Sequence, residues 1–155
     1  MDIRKFTFKT LSTFFYIGYL PFMPGTFASI VGVFLFYLIK DNSVMHILFT
    51  LTLIILGFLV AGKAEEIFQR KDARCIVIDE VAGMLLSLTF IQHDLKLVII
   101  AFIIFRILDA LKPYPAGPLQ NLKGSLGIMS DDIVAGLYTN IILQVILRLA
   151  SLRAS

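Results

Sequence analysis

The stretch VMHILFTLTLIILGFLVAG, residues 44–62, carries no formally charged side chain from end to end. An α-helix needs about 20 apolar residues to cross the hydrocarbon core of a bilayer, so this stretch predicts a membrane-spanning helix. The whole chain agrees, because 58% of its 155 residues are hydrophobic, 16% are charged and the mean hydropathy is +0.88. A single domain of this size has too little interior to hide so much apolar surface. The sequence therefore predicts an integral membrane protein.

Further uncharged runs place the other helices, at residues 10–39, 81–93, 97–105 and 133–147. Prolines and glycines interrupt the first run, so GYLPFMPGT at 18–26 is expected to form a loop or re-entrant turn. We expect one domain, residues 1–155, that is all-α and polytopic, with about five apolar helices, some of them short or re-entrant. Their predicted ranges are 26–39, 44–62, 80–92, 95–111 and 133–150.

The basic residues predict the orientation of these helices. If the N-terminus is cytoplasmic, most of the 14 lysines and arginines face the cytoplasm: Arg4, Lys5, Lys9, Lys63, Arg70, Lys71, Arg74, Arg106, Lys112 and Lys123. The opposite side holds Lys40, Lys96, Arg148 and Arg153. This asymmetry follows the positive-inside rule. The polar residues 63–75 are expected to include a short surface helix, since Glu66 and Arg70 have i,i+4 spacing.

Several classes of site are disfavoured by composition. The single cysteine, Cys75, excludes an internal disulfide and a cysteine-based metal cluster. The two histidines, His46 and His93, have no histidine neighbour at metal-ligand spacing, which argues against zinc or histidine-based nucleophilic chemistry. The net charge of +3 is not gathered into a basic cluster with interleaved aromatics, so nucleic acid is not an expected partner.

Five carboxylates are predicted to meet at the cytoplasmic face: Asp79, Glu80, Asp109, Asp131 and Asp132. The first doublet precedes the third helix, the single acid ends the fourth, and the second doublet opens the fifth. Charges at membrane depth cost about 2.5–3.5 kcal/mol each at a helix centre, and like charges also repel. Arg106 and Lys112, each one helical turn from Asp109, compensate only in part. A divalent cation such as Mg²⁺, which prefers carboxylate oxygens, would complete the compensation.

Simpler roles exist for the same residues. Asp79 or Asp132 alone can serve as a helix N-cap, Arg106 with Asp109 can be an i,i+3 ion pair, and Asp131 can be solvated. A cap needs one acid, however, and here the acids come as doublets. Both doublets precede Val-Ala-Gly, as DEVAG at 79–83 and DIVAG at 132–136. Alanine and glycine on the helical face of the aspartate allow close helix approach, which would bring Asp79 and Asp132 together.

Four motifs together resemble the signatures of a known family. PGT at 24–26 with Ser29, IVIDEVAG at 76–83, FRILDALKPYP at 105–115 and GIMSDDIVAG at 127–136 are similar, in this order, to those of phosphatidylglycerophosphatase A. The resemblance implies a Mg²⁺-dependent, multi-pass phosphatase of the cytoplasmic membrane. Its substrate would be an anionic phospholipid, phosphatidylglycerophosphate, converted to phosphatidylglycerol among the membrane lipids. Ala28 and Ser125 stand where the family often has glycine.

The chemistry of phosphate transfer assigns expected roles to the motif residues. The expected metal ligands are Asp79, Glu80, Asp131 and Asp132. The expected catalytic residues are Asp79, Asp109, Asp131 and Asp132. The expected substrate-binding residues are Thr26, Ser29, Arg106 and Lys112. The sequence leaves three roles open for Asp109, as metal ligand, as general base or as the residue that orients Arg106. It also leaves open whether water or an aspartate attacks the phosphorus atom.

Other functions are compatible with membrane carboxylates. One is a different Mg²⁺-dependent phosphatase or phosphotransferase of lipid headgroups. Another is a small transporter, since intramembrane acids also mark ion routes. A transporter should scatter its polar groups across the membrane depth, whereas here they gather at one face. A structural subunit would leave the acid doublets without a role.

Overall fold

The computed structural model describes residues 2–39 and 42–154, and within these ranges it is helical and without strands. Seven α-helices follow one another: α1 (Ile3–Ser12), α2 (Pro24–Ile39), α3 (Ser43–Phe68), α4 (Ile78–Ser87), α5 (Leu95–Leu111), α6 (Ala116–Leu119) and α7 (Ser125–Ala154), with a 3₁₀ turn at Ile17–Tyr19. The all-α prediction is therefore confirmed. Lys40 and the side chain of Arg153, both used in the orientation argument, lie outside the described residues.

Four of the five predicted helices differ from the structure at one or both ends. The range 95–111 is confirmed as α5, where Asp94 Oδ1 accepts from the Leu97 amide at 3.0 Å and Lys112, in the left-handed region, ends the helix. The helix predicted at 80–92 is α4, which begins and ends earlier than expected. The last one, predicted at 133–150, begins at Ser125. The separate surface helix expected within 63–75 is wrong, since α3 continues without a break to Phe68.

Two helices, α3 and α7, are long and apolar enough to cross a membrane, fewer than the five apolar helices predicted. The helix α2 is apolar but shorter. Large apolar side chains are exposed at helical spacing along both long helices, namely Leu48, Leu51, Ile55 and Leu59 on α3 and Ile141, Val145 and Leu149 on α7. Apolar surface turned outward in this way fits contact with lipid.

The short helix α4 lies at the centre, packed between α2 and α7. All but two of its residues are buried. A Cβ atom on Gly136 would lie 2.5 Å from the carbonyl oxygen of Gly83, and one on Gly83 would lie 2.8 Å from that of Asp132. The predicted close approach of the two Val-Ala-Gly segments is therefore confirmed. Asn140 of α7 donates to the carbonyls of Ser87 and Thr89, at 3.1 and 2.7 Å, which satisfies the end of α4.

The segment after α1 folds back onto the loop before α4. The Val77 amide donates to the Ser12 carbonyl at 2.9 Å. A Cβ atom on Gly18 would overlap the carbonyl group of Cys75, so only glycine permits this approach. The loop between α1 and α2 and the loop between α3 and α4 therefore lie side by side at one end of the bundle.

Candidate active site

The five predicted carboxylates do converge. All of them line one cavity of about 360 Å³, at the end of the bundle where α2 and α4 begin. Three helices supply them: α4 in its first turn, α5 in its last turns, and α7 in its second turn. Arg106 and Lys112 line the same cavity. The central prediction from the sequence, one acidic site at one end, agrees with this geometry.

Three of the acids form a tight group. One oxygen each from Asp79, Glu80 and Asp132 lie within 4.8 Å of one another. Asp79 and Asp132 are only 6% and 3% exposed. Oδ1 of Asp79, Oε2 of Glu80 and Oδ1 of Asp132 are buried and have no hydrogen-bond partner among the residues that the structure describes. Buried anionic oxygens without a donor are costly, and a cation held between them would remove that cost. The donor set, all carboxylate, fits Mg²⁺.

The helix-capping role considered for Asp79 and Asp132 is wrong. The residue at the N-cap of α4 is Val77, which makes no side-chain capping bond, and Asp79 already lies within the first turn. Since α7 begins at Ser125, Asp132 lies two turns inside that helix. Neither carboxylate is therefore used to satisfy a helix terminus. Both carboxylates instead line the cavity.

Arg106 is held by two contacts at the rim of the acid group. Its Nη1 lies 2.9 Å from Oδ2 of Asp109, one turn along α5, and donates to Oγ of Ser29 at 3.4 Å. Ser29 is fully buried and its hydroxyl donates in turn to the Gly25 carbonyl at 2.9 Å. Asp109 and Ser29 thus fix the direction of the guanidinium group. The i,i+3 ion pair of Arg106 with Asp109, considered from the sequence, is therefore confirmed.

The PGT motif brings the start of α2 against Glu80. A Cβ atom on Gly25 would overlap Oε1 of Glu80 and lie 3.4 Å from Nη1 of Arg106. Glycine at this position therefore lets the helix N-terminus, which favours anions, approach the cavity. Pro24 and Gly25 line the cavity directly. Thr26, predicted to bind substrate, follows on the same turn but is not one of the residues that line the cavity. Its buried hydroxyl has no partner in the part of the chain that the structure describes.

Asp131 has a different environment from its neighbour Asp132. Its Oδ2 pairs with Nζ of Lys112 at 2.5 Å, and its Oδ1 accepts from the Asp132 amide at 3.1 Å. Burial lowers the pKa of Lys112, but the hydrogen bond and charge of Asp131, with Asp109 and Asp132 nearby, outweigh it, so the pKa lies above its ordinary value. Lys112 is therefore a fixed positive charge at the cavity wall. Of the four predicted metal ligands, Asp131 is the one already neutralised by a lysine.

Two charged residues of the cavity were missed. Asp72 and Arg74 line it from the loop between α3 and α4, which the sequence reading treated as a plain polar loop. The Asp72 amide donates to Oε1 of Glu65 at 2.9 Å, which ties this loop to the end of α3. The available signal was the charge-dense stretch RKDAR at 70–74, directly before the IVIDEVAG motif.

Comparison with known proteins agrees with the geometry. A family model described as phosphatidylglycerophosphatase A matches residues 10–147. A phosphatidylglycerophosphatase A from Escherichia coli is 34% identical over 122 residues, 77% of this chain and 71% of the relative. One of the same name from Haemophilus influenzae is 30% identical over 123 residues, 77% of this chain and 76% of the relative.

A third relative carries a different name. It is a Bacteroides thetaiotaomicron protein, provisionally named a phosphatidylinositol-3-phosphatase. It is 33% identical over 146 residues, which cover 87% of this chain and 90% of the relative. No solved structure matches the chain significantly.

Proposed function

The chain belongs to the phosphatidylglycerophosphatase A family, and on that premise we propose that it hydrolyses the terminal phosphate monoester of phosphatidylglycerophosphate to phosphatidylglycerol and inorganic phosphate. One observation carries the proposal from the structural side. Three carboxylates lie within 4.8 Å of one another, each with a buried oxygen that lacks a partner, beside an arginine whose direction is fixed. This combination suits a doubly charged phosphate and a divalent cation.

The cation that fits is Mg²⁺, with Asp79, Glu80 and Asp132 as its protein ligands. When bound, it would neutralise charge on the phosphoryl oxygens and lower the pKa of water. The three side chains come from α4 and α7, whose contact through Gly83 and Gly136 sets the distance between them. The protein thus supplies a preformed anionic group that needs little rearrangement.

The remaining side chains of the site bind and orient the substrate. Arg106 donates hydrogen bonds to the terminal phosphate, and Asp109 and Ser29 hold its guanidinium in place for this. The start of α2 at Pro24 and Gly25 adds positive potential on the same side. Lys112, held by Asp131, contributes a further fixed positive charge. In the proposed hydrolysis, the oxygen of a water molecule forms a bond to phosphorus and the bond from phosphorus to the glycerol oxygen breaks. One proton of that water passes to the glycerol oxygen, so the products are phosphatidylglycerol and inorganic phosphate.

We further propose that the protein is multi-pass and that the cavity opens to the cytoplasm. The long helices α3 and α7 support membrane insertion, together with their outward apolar side chains. The basic residues Arg74, Arg106 and Lys112 all line the acidic cavity. A cavity surrounded by the basic loops is on the cytoplasmic side under the positive-inside rule. The substrate headgroup would meet the site at that membrane surface.

The test is phosphate release from phosphatidylglycerophosphate by the detergent-purified protein, with Mg²⁺ and with a chelator, beside Asp132→Asn. We expect Mg²⁺-dependent turnover, reversibly lost with the chelator and reduced at least about 100-fold in the folded variant. Lys96→Gln is the control for a charge removed away from the site, since Lys96 lies in the first turn of α5, at the end opposite Arg106 and Asp109. Absence of turnover from well-folded protein, on any phospholipid monoester, would refute the phosphatase proposal and favour a transporter or structural role.

A second substrate deserves the same assay because of the Bacteroides relative. Phosphatidylinositol 3-phosphate also presents a phosphate monoester on a phospholipid headgroup. Comparing kcat/KM for the two lipids assigns the substrate. A higher value for the inositol lipid would replace the first proposal while leaving the metal and arginine roles intact.

A further inference from the structure

A groove of about 580 Å³ adjoins the acidic cavity. The two spaces share three lining residues, Met23, Pro24 and Arg74. The groove lies between the loop that leads into α2 and the loop that leads into α4. A molecule that fills both spaces would have one end at the acid group and the rest in the groove.

The walls of the groove differ in character. One wall is apolar and strongly exposed, with Tyr19, Leu20 and Phe22 at 52%, 43% and 87% exposure. The other wall carries two exposed guanidinium groups, those of Arg70 and Arg74. Apolar surface beside fixed positive charge is complementary to an anionic amphiphile. A soluble phosphate ester would use only the positive part.

The backbone conformation of the loop before α2 keeps the apolar wall exposed. Phe22 and Met23 have φ angles of 63° and 51°, a left-handed conformation that bulky residues rarely adopt. The preceding turn is fastened to the other loop where Gly18 meets the carbonyl of Cys75. Unfavourable backbone geometry persists where the surrounding structure enforces it, and it is common at ligand-binding sites. Here its effect is to present two large apolar side chains beside the cavity mouth.

We propose that this groove binds the diacylglycerol end of the phospholipid substrate, with the internal phosphodiester at the guanidinium of Arg74. This inference rests on the proposed function, which places the terminal phosphate among Arg106 and the acids. Arg74 lines both spaces, so it lies where the linkage between the two phosphates must pass. Arg74 is then a specificity residue: it recognises the phosphodiester, which simple phosphate monoesters lack.

Direct binding tests the groove without any need for turnover. The affinity of the purified protein for phosphatidylglycerol, which has the phosphodiester and acyl chains but no terminal phosphate, is measured by native mass spectrometry in detergent. We expect Arg74→Gln to weaken it at least about tenfold, the effect of losing one charge-assisted hydrogen bond. Lys71→Gln removes the same charge from the same loop but lines neither space, so its affinity should equal that of wild type.

Two further measurements separate the outcomes. Inorganic phosphate should bind Arg74→Gln as it binds wild type, and an equal loss of phosphate affinity would assign Arg74 to the terminal phosphate and overturn the proposal. Phe22→Ser should weaken binding of a long-chain lipid more than of a dihexanoyl lipid, and equal effects would refute the apolar wall. If Arg74→Gln binds phosphatidylglycerol as tightly as wild type does, and wild type turns over normally, the groove proposal is refuted and the phosphatase proposal stands. If the lipid-binding results are as expected but wild type shows no turnover, the groove proposal stands and the phosphatase proposal is refuted.

Discussion

Gly136→Ala should separate the two acid-bearing helices. The added Cβ would lie 2.5 Å from the Gly83 carbonyl oxygen and 3.3 Å from Gly83 Cα. Optimal contacts are about 3.5 Å or longer, so α4 and α7 must move apart by several tenths of an ångström, up to roughly 1 Å. Overpacking of this kind costs about 1–3 kcal/mol, and the better helix propensity of alanine returns about 1 kcal/mol. We therefore expect a net loss in the free energy of unfolding of about 0–2 kcal/mol.

The effect on activity should exceed the effect on stability. Displacing Asp132 from Asp79 and Glu80 by about 1 Å can lower kcat/KM by up to roughly 100-fold. Thermal unfolding of the purified protein should show a Tm lower by up to about 8 °C, given about 2–4 °C per kcal/mol for a chain of this size. Phosphate release from phosphatidylglycerophosphate, measured on the same preparation, gives the loss of activity.

Gly57→Ala is the matched control for this experiment. The glycine also lies inside a long helix, α3, but its Cβ would meet the flexible end of the Met129 side chain rather than backbone. Methionine adapts readily, so we expect a Tm equal to or slightly above wild type and unchanged kcat/KM. If Gly136→Ala behaves like Gly57→Ala in both measurements, the helix contact does not set the spacing of the acids.

Three further predictions concern charged and thiol groups. Arg106→Lys keeps the charge but loses the forked geometry, so kcat/KM should fall about 10–100-fold, and a value within twofold of wild type would contradict the clamp role. Lys112→Met leaves the buried carboxylate of Asp131 without its lysine partner. The free energy of unfolding should therefore fall by about 1–3 kcal/mol, after allowance for the partial exposure of the pair, and Tm should fall with it. An unchanged Tm would show that the pair is not stabilising. Burial raises the pKa of the Cys75 thiol, so its thiolate forms at higher pH than in a free thiol. Its alkylation rate should therefore rise later with pH than that of N-acetylcysteine, and coincident profiles would contradict this.

Much of the site could be predicted because it depends on topology. Once the apolar runs are taken as helices that alternate in direction, the five acids are expected at the same end of the bundle. The structure places all five in one cavity. The repeated Val-Ala-Gly predicted the α4–α7 contact, since small residues on the aspartate face remove the steric barrier. The apolar run at 95–111 also predicted both ends of α5 correctly.

Two helix boundaries were predicted wrongly because charges were taken as helix ends. Asp131 in fact lies inside α7, where it pairs with Lys112, a residue distant in sequence. Lys63 and Glu66 likewise extend α3, where their side chains pair at 3.2 Å on an exposed face. The partner of Asp131 is distant in sequence, and a local pattern contains no record of it. The pair of Lys63 and Glu66, by contrast, has the i,i+3 spacing that the sequence itself shows. The position of Arg74 at the cavity was missed because it depends on how two loops pack.

The acid group is divided between helices that are made at different times. Asp79 and Glu80 belong to α4, whereas Asp132 lies in α7, some fifty residues later in the chain. During synthesis α4 is therefore complete while its main packing partner is still missing. A chain that has emerged only as far as α5 therefore holds two of the three carboxylates of this group. The acid group is thus completed in a single late step, and a truncated product that ends after α5 lacks it.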